Sequence, residues 1–521
     1  MAGLGVGGSL SHLSNFRGPP QSGQFEIAGS AGFLNGGFVS FSNLAAGSQQ
    51  TGLTVTLPST LLSGLYTQTV TLHSSSNNAN GSTMLADQTL TISATVLVAT
   101  QLTRTPTTIV GGAGDDTYIA ASGVLYSGQS INGGGGTNTL LLQGAGTFDL
   151  RAPTTLKNIT VLNATEGQPG YLLPDATIVP SQVQTVYLRD GLNVTMNVAP
   201  SGSPNSDNPL PATIVVYGAK TSSVINLADG NDIVYLGSRN ETVNGGGGYN
   251  TFYVTGATIG ASIDGGSSGT SAVFVRGGGT MAMGASIRNV AAVTLTNAAK
   301  GTVQPDYVFR ANTIAGLLIR ASSGNDTITV GHATQRVLAT GGNTVVRATA
   351  ALGGVAVEGG TGDSRLEITN GGTVTLAETT NHVTVKLNAA SMLNLNKMAF
   401  ITAVGSTGAD TIQAGTAGQV VTGGAGADTL VSATGFGTVF RDDSAGLTGD
   451  TIKGFGGADS ITITDLIGGS ALLGYVGTST NGTLSVTDGV HAASIKMVGN
   501  FALGLFHLAD DGHGGSRITY G

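Results

Sequence analysis

Gly423-Gly424-Ala425-Gly426-Ala427-Asp428-Thr429-Leu430 is the stretch from which the fold can be read. It fits the nonapeptide G-G-x-G-x-D-x-U-x, where U is a large apolar residue. The glycines allow a turn that residues with a Cβ follow only with strain. The residues after the Asp form a short strand whose apolar side chain enters the core. Upstream, Gly408-Ala409-Asp410-Thr411-Ile412 repeats the Asp and the strand, and Asp410, Gln419 and Asp428 stand nine positions apart. Two nonapeptides complete one coil of a flattened parallel β-roll, so Asp410 and Asp428 should stack on one edge. Stacked carboxylates and turn carbonyls are hard oxygen ligands, the chemistry calcium selects.

The trio returns along the chain in altered form, as Asp116, Gln129 and Asn138, as Asp232, Glu241 and Asn250, and as Asp326, Gln335 and Asn343. Each opens on a turn carrying an Asp and closes near a Gly-rich turn, such as Gly133 to Gly136 or Gly245 to Gly248. Between trios a second element recurs, as in Gly279-Thr280-Met281-Ala282-Met283 and Gly372-Thr373-Val374-Thr375-Leu376. A degenerate long-period repeat with shorter coils inside it predicts a solenoid.

Composition agrees. Gly makes up 84 of 521 residues, charged residues are only 10%, and hydrophobic residues are 40%. That hydrophobic share argues against a disordered glycine linker. It suits stacked strands whose outside is covered by Thr, Asn and Ser. A net charge of −8 with 21 basic residues argues against nucleic acid as a partner. No run of 18 apolar residues is present to span a membrane. Cys is absent, which is compatible with export. Met1-Ala2-Gly3-Leu4-Gly5 opens no basic, then apolar, signal sequence, and the first residues read like the middle of a domain.

Three regions follow, in an all-β chain. Residues 1–102 carry alternating segments, including Leu53 to Leu57, Tyr66 to Leu72 and Leu90 to Val96, and read as an immunoglobulin-like antiparallel β-sandwich. Thr103 to Thr108 reads as a linker. Residues 109–439 read as a right-handed parallel β-solenoid, with loops inserted at 165–180 and 199–212. Residues 440–521 read as a C-terminal β cap.

Gly111-Gly112-Ala113-Gly114-Asp115-Asp116-Thr117-Tyr118 and Gly423 to Leu430 resemble the repeats of the RTX, or hemolysin-type calcium-binding, family. Asp450-Thr451-Ile452-Lys453-Gly454-Phe455-Gly456-Gly457-Ala458-Asp459-Ser460-Ile461, running on to Leu466, is similar to the segment that follows RTX rolls in type I-secreted bacterial proteins. The ending Asp511-Gly512-His513-Gly514-Gly515 resembles their finish. The resemblance covers roughly residues 110–521. It implies export from a Gram-negative cell through an uncleaved C-terminal signal, and folding outside the cell assisted by calcium. The long degenerate repeats are most similar to surface-layer proteins and adhesins.

The chain departs from the family where Asp gives way to Asn or Gln, which keeps an oxygen and loses the charge on which calcium affinity depends. Few or weak sites are therefore expected. The candidate ligands are Asp115 and Asp116, Asp232 with Asn250, Asp326, Asp410 with Asp428, and the acidic turns at Asp442-Asp443 and Asp450 to Asp459. The plain alternative is that each carboxylate caps backbone N–H groups of its own turn.

Enzyme chemistry finds little footing. None of the seven histidines belongs to an H-E-x-x-H motif, and no nucleophile elbow of the lipase kind is apparent. Glu358 and Glu367 could pair for glycoside chemistry, although solvated side chains on the outside of a coil explain them more simply. The sequence therefore reads as a non-enzymatic extracellular protein that self-assembles into a homo-polymer, with a cell-surface polysaccharide as a further partner. The C-terminal part of a secreted adhesin binding cells or glycans is the alternative, and a polysaccharide-modifying β-helix enzyme a more remote one.

Overall fold

The computed structural model describes residues 19–164, 184–198 and 214–521, apart from positions 30, 31, 59, 60, 62, 63, 97, 145, 193, 229, 268, 269, 434, 436 and 468. The inserted loops expected at 165–180 and 199–212 lie outside the described residues. The chain is 48% strand and 2% helix, with a parallel β-solenoid of about 16 turns. It divides after Ala228 into two compact units.

The first unit opens with antiparallel strands. Gln21–Gly29 pairs with Gly64–Asn78, which also takes Gln88–Val96 and Gly81–Met84. A separate pair, Leu34–Gly36 with Thr54–Thr56, faces them. Leu53, Val55, Val70 and Leu72 are buried there. The side-chain amides of Asn35 and Gln68 exchange hydrogen bonds of 2.7 and 2.9 Å, joining the two sheets. The alternation seen in the sequence is that of strands with one face inward.

Parallel pairing begins at Val98–Gln101, which lies beside Asp116–Ala121. Successive coils then stack Thr139–Gln143, Val161–Ala164 and Thr195–Val198 on one ladder. A second ladder holds Thr108–Val110, Ser130–Asn132 and Thr155–Lys157. Every second side chain enters the core, among them Tyr118, Leu140, Leu142, Leu162 and Met196, each at most 1% exposed. Each fully buried Leu is worth roughly 1.5–3 kcal/mol. The repeated apolar column therefore holds one coil to the next.

The second unit also contains parallel ladders. One ladder runs from Gly279–Ala282 through Thr344–Ala348 and Val420–Thr422 to Ser460–Ile463. Another runs through Gly372–Thr375, Ser391–Asn394, Thr411–Gln413, Thr429–Val431 and Thr451–Lys453. Ile412, Leu430 and Ile452 form a fully buried column. The end is closed by antiparallel strands. Ser516–Tyr520 covers Ser460–Ile463, and Leu472–Gly477, Asn481–Thr487 and Ala492–Val498 form a meander that joins Thr451–Lys453. Phe455, Phe501, Phe506, Tyr475 and Tyr520 cluster within that cap.

One register differs from the sequence reading. Thr327 pairs with Val345, so the residue stacked on Asp326 is Thr344 and not Asn343. Asn343 is exposed and its N–H donates to Asn325 Oδ1. A slip of one residue moves a side chain to the other face of a strand. The shorter spacing in that trio therefore takes Asn343 out of the buried row.

Candidate buried carboxylate rung

Each turn that precedes a strand leaves N–H groups that no strand partner reaches, and the trio residues satisfy them. Thr411 pairs with Thr429 and Thr429 with Thr451, which places Asp410, Asp428 and Asp450 in one row across three coils. All three are at most 2% exposed. Asp410 Oδ1 accepts from Ser391 N–H at 2.6 Å, Asp428 Oδ1 from Asp410 N–H at 2.7 Å, and Asp450 Oδ1 from Asp428 N–H at 2.8 Å. Each carboxylate thus latches its coil to the preceding one.

The second oxygens differ. Asp410 Oδ2 accepts from the N–H of Ser406 at 2.6 Å and from its hydroxyl at 2.8 Å. Asp428 Oδ2 and Asp450 Oδ2 are buried with no hydrogen-bond partner. Both sit over Gly423, where an added Cβ would lie 2.7 Å from each. Gly423 has no left-handed φ, so its glycine serves close approach of the carboxylates, whereas Gly424 at φ +85° serves the turn itself. Asp442 stands beside the pair, with Oδ2 accepting from Gly424 N–H at 2.9 Å and Oδ1 from Asp443 N–H. Burial, reinforced by the neighbouring charges of Asp410 and Asp442, raises the Asp428 carboxyl to about 6. Burial, with Asp428 and Asp442, raises Asp450 to about 7. Asp442 is also raised, chiefly by burial. Two orphaned carboxylate oxygens in one dry place call for a proton or a cation between them.

The amide versions of the row are saturated. Asn138 Oδ1 accepts from Asp116 N–H, while its Nδ2 donates to the carbonyls of Gly135 and Asn158 at 2.8 and 2.9 Å. Asn250 repeats this, with Oδ1 accepting from Asp232 N–H and Nδ2 donating to the carbonyls of Gly245 and Gly247. The amide N–H groups occupy the carbonyls a cation would need. On the opposite edge Gln335 and Gln419 do the same, each Nε2 donating to two carbonyls and each Oε1 accepting from a turn N–H.

The remaining candidates are also placed. Asp116 Oδ2 accepts from Gly112 N–H, and Asp115 Oδ1 from Thr137 N–H. Asp232 is fully buried. Asp326 accepts from Tyr307 N–H and from the N–H and hydroxyl of Ser322, and burial raises its carboxyl. Asp443 caps the helical turn Ser444–Leu447 through Gly446 N–H. Asp459 accepts from Thr438 and Gly456 N–H groups and from the Ser432 hydroxyl. Apart from Asp232, each of these carboxylates holds N–H groups of a turn or of a neighbouring coil.

Among the described residues, no three His, Cys, Asp or Glu side chains form a ready metal cage. The sequence reading placed Asp450 with Asp459 and missed its stacking on Asp428, because the capped turn at Ser444–Leu447 lengthens that coil. It also missed Ser271, whose uncharged hydroxyl accepts from Asn250 N–H and donates to the Gly265 carbonyl. Glu358 pairs with Arg336, and Glu367 with Arg347 and Arg365, on different strands. Comparison with known protein families and with characterised proteins finds no match, so the rung is read from its own residues.

Proposed function

We propose that this chain is an extracellular structural protein that self-assembles at the cell surface, as a surface-layer or filament subunit, with calcium bound at the Asp428–Asp450 rung. The observation that carries this reading is the pair of buried, unpartnered carboxylate oxygens over Gly423. A divalent ion there would be held by Asp428 and Asp450, with Asp442 adding negative charge beside them. Hard oxygen donors of this kind suit calcium. Assembly is supported by the cap, where Leu472–Gly477 forms the edge of its sheet and residues 466–487 contain no charged side chain. Ile467, Leu472 and Val476 are 60%, 73% and 83% exposed there. Natural proteins usually protect such an edge with charge or cover.

Electron microscopy of the purified chain, with calcium and with chelator, tests the reading. Ordered sheets or filaments only with calcium are expected. Dispersed monomers in both conditions would contradict it. A second reading, the C-terminal part of a secreted adhesin that binds cells or glycans, is favoured by the sheet whose strands carry Lys453 and Lys496 and no Asp or Glu.

A further inference from the structure

One of the two sheets that end in the cap carries charge of a single sign along its strands. Its eight strands are Gly372–Thr375, Ser391–Asn394, Thr411–Gln413, Thr429–Val431, Thr451–Lys453, Ala492–Val498, Asn481–Thr487 and Leu472–Gly477, in spatial order. They contain no Asp or Glu, and their only charged residues are Lys453 and Lys496. In a chain with 29 acidic and 21 basic residues, these strands carry basic charge only. The neighbouring sheet mixes its charges, as in Arg347, Arg365 and Glu367.

Register places the outward side chains of this sheet in two rows. One runs Met392, Thr411, Thr429, Thr451, Lys496, Thr483 and Val476. The other runs Asn394, Gln413, Val431, Lys453, Val498 and Asn481. Adjacent members stand about 4.8 Å apart, the spacing of neighbouring strands. Both lysines are exposed, and neither ammonium has a carboxylate or hydrogen-bond partner among the described residues. At the cap end the face opens into a groove of about 570 Å³, lined by Thr451, Val476, Thr478, Asn481, Thr483 and Lys496.

We infer that this face binds an acidic polysaccharide, its carboxylate or sulfate groups meeting Lys453 and Lys496 and its hydroxyl groups meeting the Thr, Asn and Gln side chains. The partner's sign follows from charge complementarity, since two unpaired cations stand on a face without a competing carboxylate. Its polar, extended character follows from the Thr, Asn and Gln side chains that run along both rows, interrupted by Met392, Val431, Val476 and Val498. A nucleic acid duplex, with its dense phosphate charge, would call for more cations than two. The inference deepens the cell-surface reading by naming a partner, and rests on that reading only for where the polymer would be met.

The test is affinity electrophoresis of the full chain in gels containing soluble polygalacturonate, with chelator present to prevent calcium bridging. Neutral dextran, duplex DNA and vesicles containing phosphatidylglycerol are the comparisons. The expected result is retardation by polygalacturonate alone, weakened at least fivefold in the K453Q/K496Q double variant and unchanged in K386Q. Lys386 lies beside Glu367 on the other sheet. Circular dichroism of each variant confirms the fold, which exposed lysines should not disturb. Equal retardation by dextran, equal binding to DNA or vesicles, or full binding by the double variant would overturn the inference. Loss of binding with assembly intact would sink this inference alone. Binding without assembly would sink the structural reading alone.

Discussion

The turn at Asn250 and the turn at Asp428 occupy the same place in their coils, yet one is closed and the other is not. Asn250 offers an oxygen to the preceding coil and two N–H groups to its own turn carbonyls, so every polar atom of that side chain has a partner. Asp428 makes the same bond to the preceding coil but has no N–H to give, and its second oxygen faces that of Asp450 across Gly423. The difference is one of charge and not of shape. An amide completes the coil by itself, whereas a carboxylate pair completes it only with a proton or a cation. A repeat that drifts from Asp to Asn therefore exchanges a conditional latch for a permanent one.

The largest effect should come from filling the space at Gly423. Gly423→Ala would set a methyl against both carboxylates and should cost about 2–3 kcal/mol. Gly456→Ala, where nothing lies within 4 Å, should change stability by less than about 0.5 kcal/mol. Urea denaturation of the two variants makes the comparison, and equal losses would mean that the carboxylates do not define the site.

The pH dependence is next in size. The carboxyls of Asp428 and Asp450 titrate near 3.9 in the unfolded chain and at about 6 and about 7 in the fold. The folded state therefore holds more protons between these values. Without metal, stability should be fullest below about pH 4, fall on the order of a few kcal/mol as pH rises to about 7, and then level. Asp450→Asn should flatten that fall, because its amide can donate to Asp428. A slope unchanged in D450N would assign the dependence elsewhere.

The converse exchange sharpens the contrast. Asn250→Asp would point a carboxylate oxygen at the carbonyls of Gly245 and Gly247, and should cost about 1–3 kcal/mol at neutral pH without metal. Thermal melts with and without calcium would show whether the introduced charge also creates a calcium response.

The smallest effect is at the surface of the first unit. His73 lies 3.1 Å from Glu26 and 2.8 Å from Asp87, which raise its pKa. Its contribution should be complete below about pH 6.5 and vanish as pH rises through the higher folded value. NMR titration of the imidazole checks the direction, and His73→Gln should remove it while leaving the slope of the buried pair intact.

Much of this was legible in the sequence. The spacing of Asp410 and Asp428 set the coil length, and alternation in Thr429-Leu430-Val431 set the inward face, because both follow from local geometry. The partner of Asp428 was hidden, since the helical turn capped by Asp443 adds residues to that coil and breaks the period. The two roles of glycine were equally hidden. Gly423 and Gly424 look alike in sequence, but one makes room for another coil's carboxylate and the other bends the chain. Such distinctions depend on what lies across the stack.

The most direct test of the account is the melting temperature at pH 8 in calcium and in chelator, for the wild-type chain and for the D428N/D450N double variant. The account predicts that calcium raises the wild-type melting temperature by several degrees and leaves that of the variant unmoved. An equal rise in both, or none in the wild type, would contradict a cation at the Asp428–Asp450 rung.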